Sequence, residues 1–228
     1  MSKASRMGFD GLMERAAALH AVMERCSLCP RACGARRTEG ETGFCGCTDA
    51  LEIASSCIHT GEEPVLGGSV GVGNLFLAHC NMRCAFCQNH QISQTGRRFP
   101  VSVDDAARTM LGLRSAGCPT VGFVSPVQHL PMIVEAVAHA VRGGFDIPLI
   151  YNSNGYDSVE ALRLLDGVFD IYLPDFKYAG EEMLFISLHI PTQNPGLLPY
   201  PAILIHCKHI FKKPMPKVLK YMPGSQHF

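Results

Sequence analysis

The 228-residue chain has no excess of charge of either sign: twenty basic and twenty acidic residues cancel, and the isoelectric point is about 7.1. Polyanions are bound through a basic excess that releases counterions, so a nucleic-acid surface of the usual kind is not expected. There is no run of about 18 or more apolar residues from which to build a transmembrane helix. The N-terminus, MSKASRMGFDGLMERAAALH, carries charges where a signal peptide needs an uninterrupted apolar stretch. A cytoplasmic protein without membrane or nucleic-acid partners is the expectation. Lysine is nearly missing from the first 207 residues, which use thirteen arginines and two lysines. Acidic residues stop at Glu182, and only two glycines follow it.

What is present points to a packed core and to metal chemistry. An apolar fraction of 47% with 18% charged residues is that of a globular domain, and the length suits one domain, or one with an appendage. Eleven cysteines occur, nine of them between Cys26 and Cys87. An odd number without a secretory signal fits a disulfide framework poorly, because a reducing cytosol does not maintain one. Clustered thiols in such a chain read as metal ligands.

Four segments follow from composition and periodicity. Residues 1–25 hold an amphipathic helix, with Phe9, Leu12, Met13, Ala16, Leu19, Val22 and Met23 at helical spacing over 8–25. Residues 26–73 are rich in Gly and Cys and have too few apolar anchors for an ordinary core. Their organiser would be a metal, or docking onto something larger. Within them, Gly67 to Gly73 precedes a strand rather than a helix and has no following Lys, so close backbone packing is expected there and not a phosphate loop. Over 74–180, short apolar runs at 74–78, 120–125, 148–152 and 170–174 alternate with helical patterns at about 104–116, 130–142 and 158–166. Ser102 with Asp105, and Asp157 with Glu160, look like capping pairs. Such alternation implies parallel βα units with functional groups at the C-terminal ends of the strands. Residues 181–228 form a basic, Pro-rich tail, with five of the seven lysines between Lys208 and Lys220. The break reads as an interaction tail, a disordered extension or an unrelated terminus.

The segment His79-Cys80-Asn-Met-Arg-Cys84-Ala-Phe86-Cys87-Gln-Asn89 follows the first strand of the series. Three thiols on one short loop suit three corners of an iron–sulfur cubane. A structural zinc wants a fourth ligand, and His90 is too near to serve without straining the loop. Three protein ligands on four irons leave one iron open for a small chelating molecule.

This C-x3-C-x2-C spacing, with an aromatic before the last cysteine, resembles the signature of the radical S-adenosylmethionine (SAM) superfamily. Cys87-Gln-Asn89, Phe123-Val-Ser-Pro126, Tyr151-Asn-Ser-Asn-Gly-Tyr156 and Asp170-Ile-Tyr-Leu-Pro-Asp-Phe-Lys-Tyr178 resemble the branch related to pyruvate formate-lyase activating enzymes. The resemblance implies an α/β fold, a partial (βα) barrel, here legible for four units and so apparently truncated, with a Cys-rich N-terminal extension. It implies a [4Fe-4S] cluster on Cys80, Cys84 and Cys87 whose open iron holds the amino and carboxylate groups of SAM. One electron from a flavodoxin- or ferredoxin-like donor would then release methionine and a 5′-deoxyadenosyl radical. That radical abstracts hydrogen from a substrate, such as the α-carbon of a glycine in a protein partner.

The resemblance also places Phe86 near the adenine, with a core aromatic as the plainer reading. Where relatives carry Gly-Gly-Glu-Pro for the SAM ammonium, this chain has Val124-Ser125-Pro126, leaving Ser125 without the carboxylate. Ser153, Asn154 and Gly155 resemble a Thr-Asn-Gly element near the ribose, and are also ordinary turn formers. Asp175 and Lys177 resemble an Asp-Leu-Lys element, or form a structural ion pair. His129, beside the Ser-Pro element, is the histidine singled out as catalytic.

Upstream, Cys26, Cys29, Cys33, Cys45 and Cys47 resemble a zinc or auxiliary cluster site, with redox-active thiols as the alternative. Cys57, Cys118 and Cys207 are expected to be buried small hydrophobes. Two competing functions remain at this point: a non-catalytic iron–sulfur or zinc module, and a shortened radical SAM protein of low turnover.

Overall fold

The computed structural model describes residues 1–95 and 99–175. Lys177, Cys207 and the segment 181–228 lie outside the described residues. Helix α1 (Lys3–Met23) begins earlier than periodicity indicates, because the Ser2 hydroxyl accepts from Ser5 N at 3.1 Å and caps it. Gly8, with φ 77°, kinks it. Leu12, Ala16, Leu19 and Met23 form its buried stripe. The N-terminus is stitched down by Ser2 N donating to Asp146 O at 2.9 Å and Lys3 N to Asp170 Oδ1 at 2.8 Å.

A single turn of 3-10 helix (Arg37–Glu39) is the regular structure between α1 and strand β1 (Ile53–His59). Then come helix α2 (Pro64–Gly67), strand β2 (Val72–Leu77), helix α3 (His90–Ser93) and helix α4 (Val103–Ser115). Strand β3 (Val121–Val124), helix α5 (Leu130–Arg142), strand β4 (Leu149–Ser153), helix α6 (Val159–Leu164) and strand β5 (Ile171–Pro174) complete the series.

The five strands form one sheet in the order β1-β2-β3-β4-β5, with β2 to β5 parallel and β1 antiparallel on β2. The parallel βα units thus match the alternation read from the sequence, each element within a few residues. Strand β1 does not: it lies inside the segment read as irregular. Only Ile53 is buried in it, so it has no alternation to betray it, and its pairing with β2 makes it a strand.

Register divides the sheet into two faces. Gly73, Leu75, Val121, Phe123, Leu149 and Tyr151 share the helix-covered one. There a Cβ on Gly73 would sit 2.9 Å from Leu113 Cβ on α4, while Phe123 meets Phe169 edge-on at 6.0 Å between centroids. The opposite face carries Asn74, Phe76, Val124, Ile150 and Asn152, with Leu66, Val72 and Ile150 packed against Ile171 and Leu173. In the 67–73 stretch the backbone is closely packed: Gly71 has φ 117°, and a Cβ there would lie 2.7 Å from His59 O.

Two capping expectations part ways. Ser102 caps α4, accepting from Asp105 N at 3.1 Å and donating to Asp105 Oδ2 at 2.6 Å. At α6 the cap is Ser158, which accepts from Ala161 N at 3.2 Å, and not Asp157. Asp157 is turned into the core by the hydroxyls of Tyr151 and Ser153. Cys118 is buried, whereas Cys57 is exposed on edge strand β1 and not the buried hydrophobe expected. Among the described residues no helix is long and apolar enough to cross a membrane.

Candidate functional site

The loop after β2 is shaped by two non-glycine residues in the left-handed region, His79 (φ 67°) and Arg83 (φ 54°). Such conformations are uncommon and persist where the surroundings enforce them. Here His79 N donates to Ile92 O at 3.1 Å, closing the base of the loop. Its ring Nδ1 faces Cys45 O at 3.2 Å, and its Nε2 pairs with Glu52. Within the loop Cys87 N donates to Cys84 O at 3.2 Å, and Gln94 Nε2 donates to the same carbonyl at 3.0 Å.

A cavity of about 590 Å³ opens over the loop, and Cys80, Cys84 and Cys87 all line it. The ends of the next three parallel strands contribute Ser125, Asn154 and Asp175 to its wall. Phe86 also lines it, with its ring 60% exposed, which is not the placement of a core aromatic. Asn74 Nδ2, on the cavity side of the sheet, donates to Glu62 Oε1 at 3.3 Å, and Glu62 also faces the cavity. A Cβ on Gly122 would overlap Asn74 Oδ1, so the glycine makes room for this pair.

The three thiols supply the donors of a thiolate-held cluster, and the cavity beside them supplies the room. Met82 N and Asn154 Nδ2 each lie 3.4 Å from Cys80 Sγ, two N–H donors aimed at that sulfur. The cavity is in the range that encloses small cofactors. Among the described residues no three His, Cys, Asp or Glu side chains stand in metal-ligating geometry. The thiols share a wall without being drawn to one point.

Not every expected residue reaches this cavity. Ser153 is buried, its hydroxyl donating to Asp157 and accepting from Gly155 N at 2.9 Å. Gly155 (φ 77°) provides the turn that aims Asn154. The Asn154 amide donates to Asn81 Oδ1 at 2.6 Å, and Asn81 Nδ2 donates to Tyr156 O at 2.7 Å. His129 lies wholly in the interior and outside the cavity wall, with Nε2 3.0 Å from Ala78 O. Burial pulls its pKa down to about 3, so it sits there as a neutral ring packed under the loop. Asp175 is on the wall, and its partner Lys177 falls outside the described residues.

The upstream thiols form a second group close by. Cys26, Cys29, Cys33 and Cys45 line a void of about 20 Å³, and Cys47 does not. Cys47 points toward His129 Nε2 at 3.8 Å. A hydrogen bond from Cys47 lowers the Cys45 pKa to about 6, whereas burial raises Cys29 to about 11 and pushes Cys26 up. Arg31 joins the two groups, donating from Nε to Asn81 O at 2.6 Å and stacking over Phe44 at 3.4 Å.

No protein-family model matches the chain, and no solved structure matches it. It is 33% identical over 170 residues to an uncharacterized protein of Methanocaldococcus jannaschii. The match covers 71% of this chain and 48% of that protein, so the chain spans about half the length of the curated relative.

The Glu52–His79 pair, the Asn81–Asn154 link and the place of Glu62 are not legible in the sequence, where Asp157 reads only as a helix cap. Gly122 inside a strand was the one local signal of a close approach. The other pairings join residues far apart in the chain.

Proposed function

We propose that the chain is a radical SAM protein with a partial (βα) barrel, holding a [4Fe-4S] cluster on Cys80, Cys84 and Cys87 with SAM on the open iron. The observation that best supports this is the convergence of those three thiols with Ser125, Asn154 and Asp175 on one cavity at the C-terminal edge of the parallel strands. Functional groups of such sheets gather at that edge. When bound, these groups supply reductive cleavage of SAM and hydrogen abstraction from a carbon centre.

The chain's own residues bind, orient and exclude water. Asn154 and the Met82 amide donate toward Cys80 Sγ and orient it. Ser125, without a glutamate beside it, shares the wall with Glu62 and Asp175, whose carboxylates can accept from an ammonium. Phe86 offers an exposed aromatic face at the same wall, and Phe76, Leu77, Met82 and Val124 keep part of it apolar. The substrate we favour is a glycine α-carbon in a protein partner, with a flavodoxin- or ferredoxin-like electron donor. A reducing cytoplasm, which keeps thiols available as ligands, is the matching compartment.

Anaerobic reconstitution of the full chain tests the reading. Iron and sulfide should approach four of each per chain at this site, and SAM should alter the electron paramagnetic resonance spectrum. 5′-Deoxyadenosine should appear under reduction. The Cys80→Ala, Cys84→Ala, Cys87→Ala triple variant should lose all three; retained SAM cleavage would refute the assignment. A reconstituted cluster with no SAM affinity would make the chain a non-catalytic iron–sulfur module.

A further inference from the structure

Residues 24–52 contain no α-helix or strand beyond the single 3-10 turn, yet their backbone is tied into defined reversals. Cys26 N donates to Ala35 O at 3.0 Å, Gly34 N to Cys26 O at 3.1 Å, and Ala32 N to Cys29 O at 3.0 Å. Four thiols from these turns surround the small void, about 20 Å³, which is roughly the room of one bound atom or water and too little for a cubane. At Gly43 a Cβ would lie 2.8 Å from Cys33 Sγ and 3.8 Å from Cys45 Sγ. The missing side chain is what lets those two sulfurs share the space.

The charge next to the void is the second observation. Arg37 is completely buried. Its guanidinium donates to Thr48 O, to Gln128 O at 2.7 Å and toward Cys26 Sγ at 3.8 Å. Among the described residues no carboxylate pairs with it. A buried guanidinium without a carboxylate partner is costly, and the sulfurs beside it are the groups that can supply the opposite charge. Four thiolates around a divalent ion carry a net charge of about −2, which is the partner this arginine lacks.

We propose that Cys26, Cys29, Cys33 and Cys45 bind a single structural zinc ion as a tetrathiolate, with Arg37 as its buried counter-charge, and that Cys47 is not a ligand. The C-x2-C spacing of Cys26 and Cys29 is that of a zinc-ligand pair. Cys47 does not line the void: its sulfur hydrogen-bonds to Cys45 from outside and lies against His129. Closing four sulfurs on one point requires side-chain rotation, for which exposed Cys33 and half-buried Cys29 have room. Binding releases the thiol protons and stabilises a segment that has little core of its own. Its four ligands are distinct from Cys80, Cys84 and Cys87, and zinc binding here does not require a cluster at that loop.

The experiment uses the full chain carrying the Cys80→Ala, Cys84→Ala, Cys87→Ala changes, so that iron at the first site does not confuse the count. Elemental analysis should find one zinc per chain and neither iron nor sulfide. Cobalt added to zinc-free protein should give the intense sulfur-to-cobalt charge-transfer band and tetrahedral ligand-field bands of four thiolates. Cys26→Ser, Cys29→Ser, Cys33→Ser and Cys45→Ser should each lose the ion, and Cys47→Ser should keep it. Arg37→Gln should weaken zinc binding ten- to hundred-fold in chelator competition. Iron and sulfide in place of zinc, a cobalt spectrum without thiolate bands, or loss of zinc in Cys47→Ser would each overturn the proposal. The cobalt spectrum is read on a chain with all five upstream cysteines intact, so it decides even where a serine variant fails to fold.

Discussion

Asn154 aims its amide Nδ2 at the sulfur of Cys80, 3.4 Å away, from the end of the third strand of the parallel series. The same amide donates to Asn81 Oδ1 at 2.6 Å, so two loops separated by more than seventy residues are locked together at the candidate cluster. Hydrogen bonds to cluster sulfurs favour the more negative, reduced state and raise its potential. Asn154→Ala should therefore lower the midpoint potential of the reconstituted cluster by tens of millivolts, on a scale where ~59 mV per electron is ~1.4 kcal/mol. A redox titration followed by electron paramagnetic resonance checks this. Full cluster content with an unchanged potential would separate Asn154 from the site.

His129 should govern part of the acid stability. Burial holds its folded pKa at about 3, against about 6.5 in an unfolded chain. The unfolded state therefore binds the extra proton as pH falls below about 6.5, and stability drops with it down to about 3. The slope from one such group is ~1.4 kcal/mol per pH unit, or on the order of 2 kcal/mol between pH 7.5 and pH 5. Urea unfolding at the two pH values should show the loss in the native chain. It should be smaller by about that amount in His129→Gln, whatever that variant's stability at neutral pH. Parallel pH profiles in the two proteins would disprove the role.

Gly122 should not tolerate a methyl group. Its Cβ would overlap Asn74 Oδ1, and Asn74 holds Glu62 at the cavity wall. Gly122→Ala is expected to cost about 1–3 kcal/mol, the usual penalty of overpacking. Thermal unfolding reads the destabilisation, and SAM titration should show weaker binding as Glu62 is displaced. A variant as stable as the parent would mean that Asn74 can move away freely.

Thiol accessibility separates the lone cysteines. Cys57 is exposed on the edge strand while Cys118 is buried at 2%. In the native chain an alkylating reagent should modify Cys57 quickly and leave Cys118 protected until denaturant is added, as peptide mass spectrometry would show. Equal labelling rates would contradict these two placements.

The parallel series was readable because each unit depends on neighbours close in the chain. The stripe Leu130, Ile133, Val134 and Val137 announces α5, and Ser102 announces α4 by a bond to a residue three positions away. Strand β1 was not readable. Its partner is β2, and five of its seven residues are exposed, so the pairing that creates it leaves no alternation. Asp157 was misread as a helix cap because acidic residues favour that position. Two hydroxyls from β4 instead draw it inward, and Ser158 takes over the cap.

The candidate site divides along the same line. Spacing alone set Cys80, Cys84 and Cys87 on one loop after a strand, since eight consecutive positions leave them nowhere else to go. Composition alone marked the upstream thiols as a group without ordinary core support. Which thiols share a void was decided by tertiary structure: Cys26, Cys29, Cys33 and Cys45 line it, while Cys47 lies outside, between Cys45 and His129. Tertiary packing also buried His129 and turned Ser153 away from the cavity, while bringing Asn154 onto Cys80. The reason is physical: a short loop limits where its own side chains can go, whereas contacts between distant segments depend on how the sheet and its helices assemble.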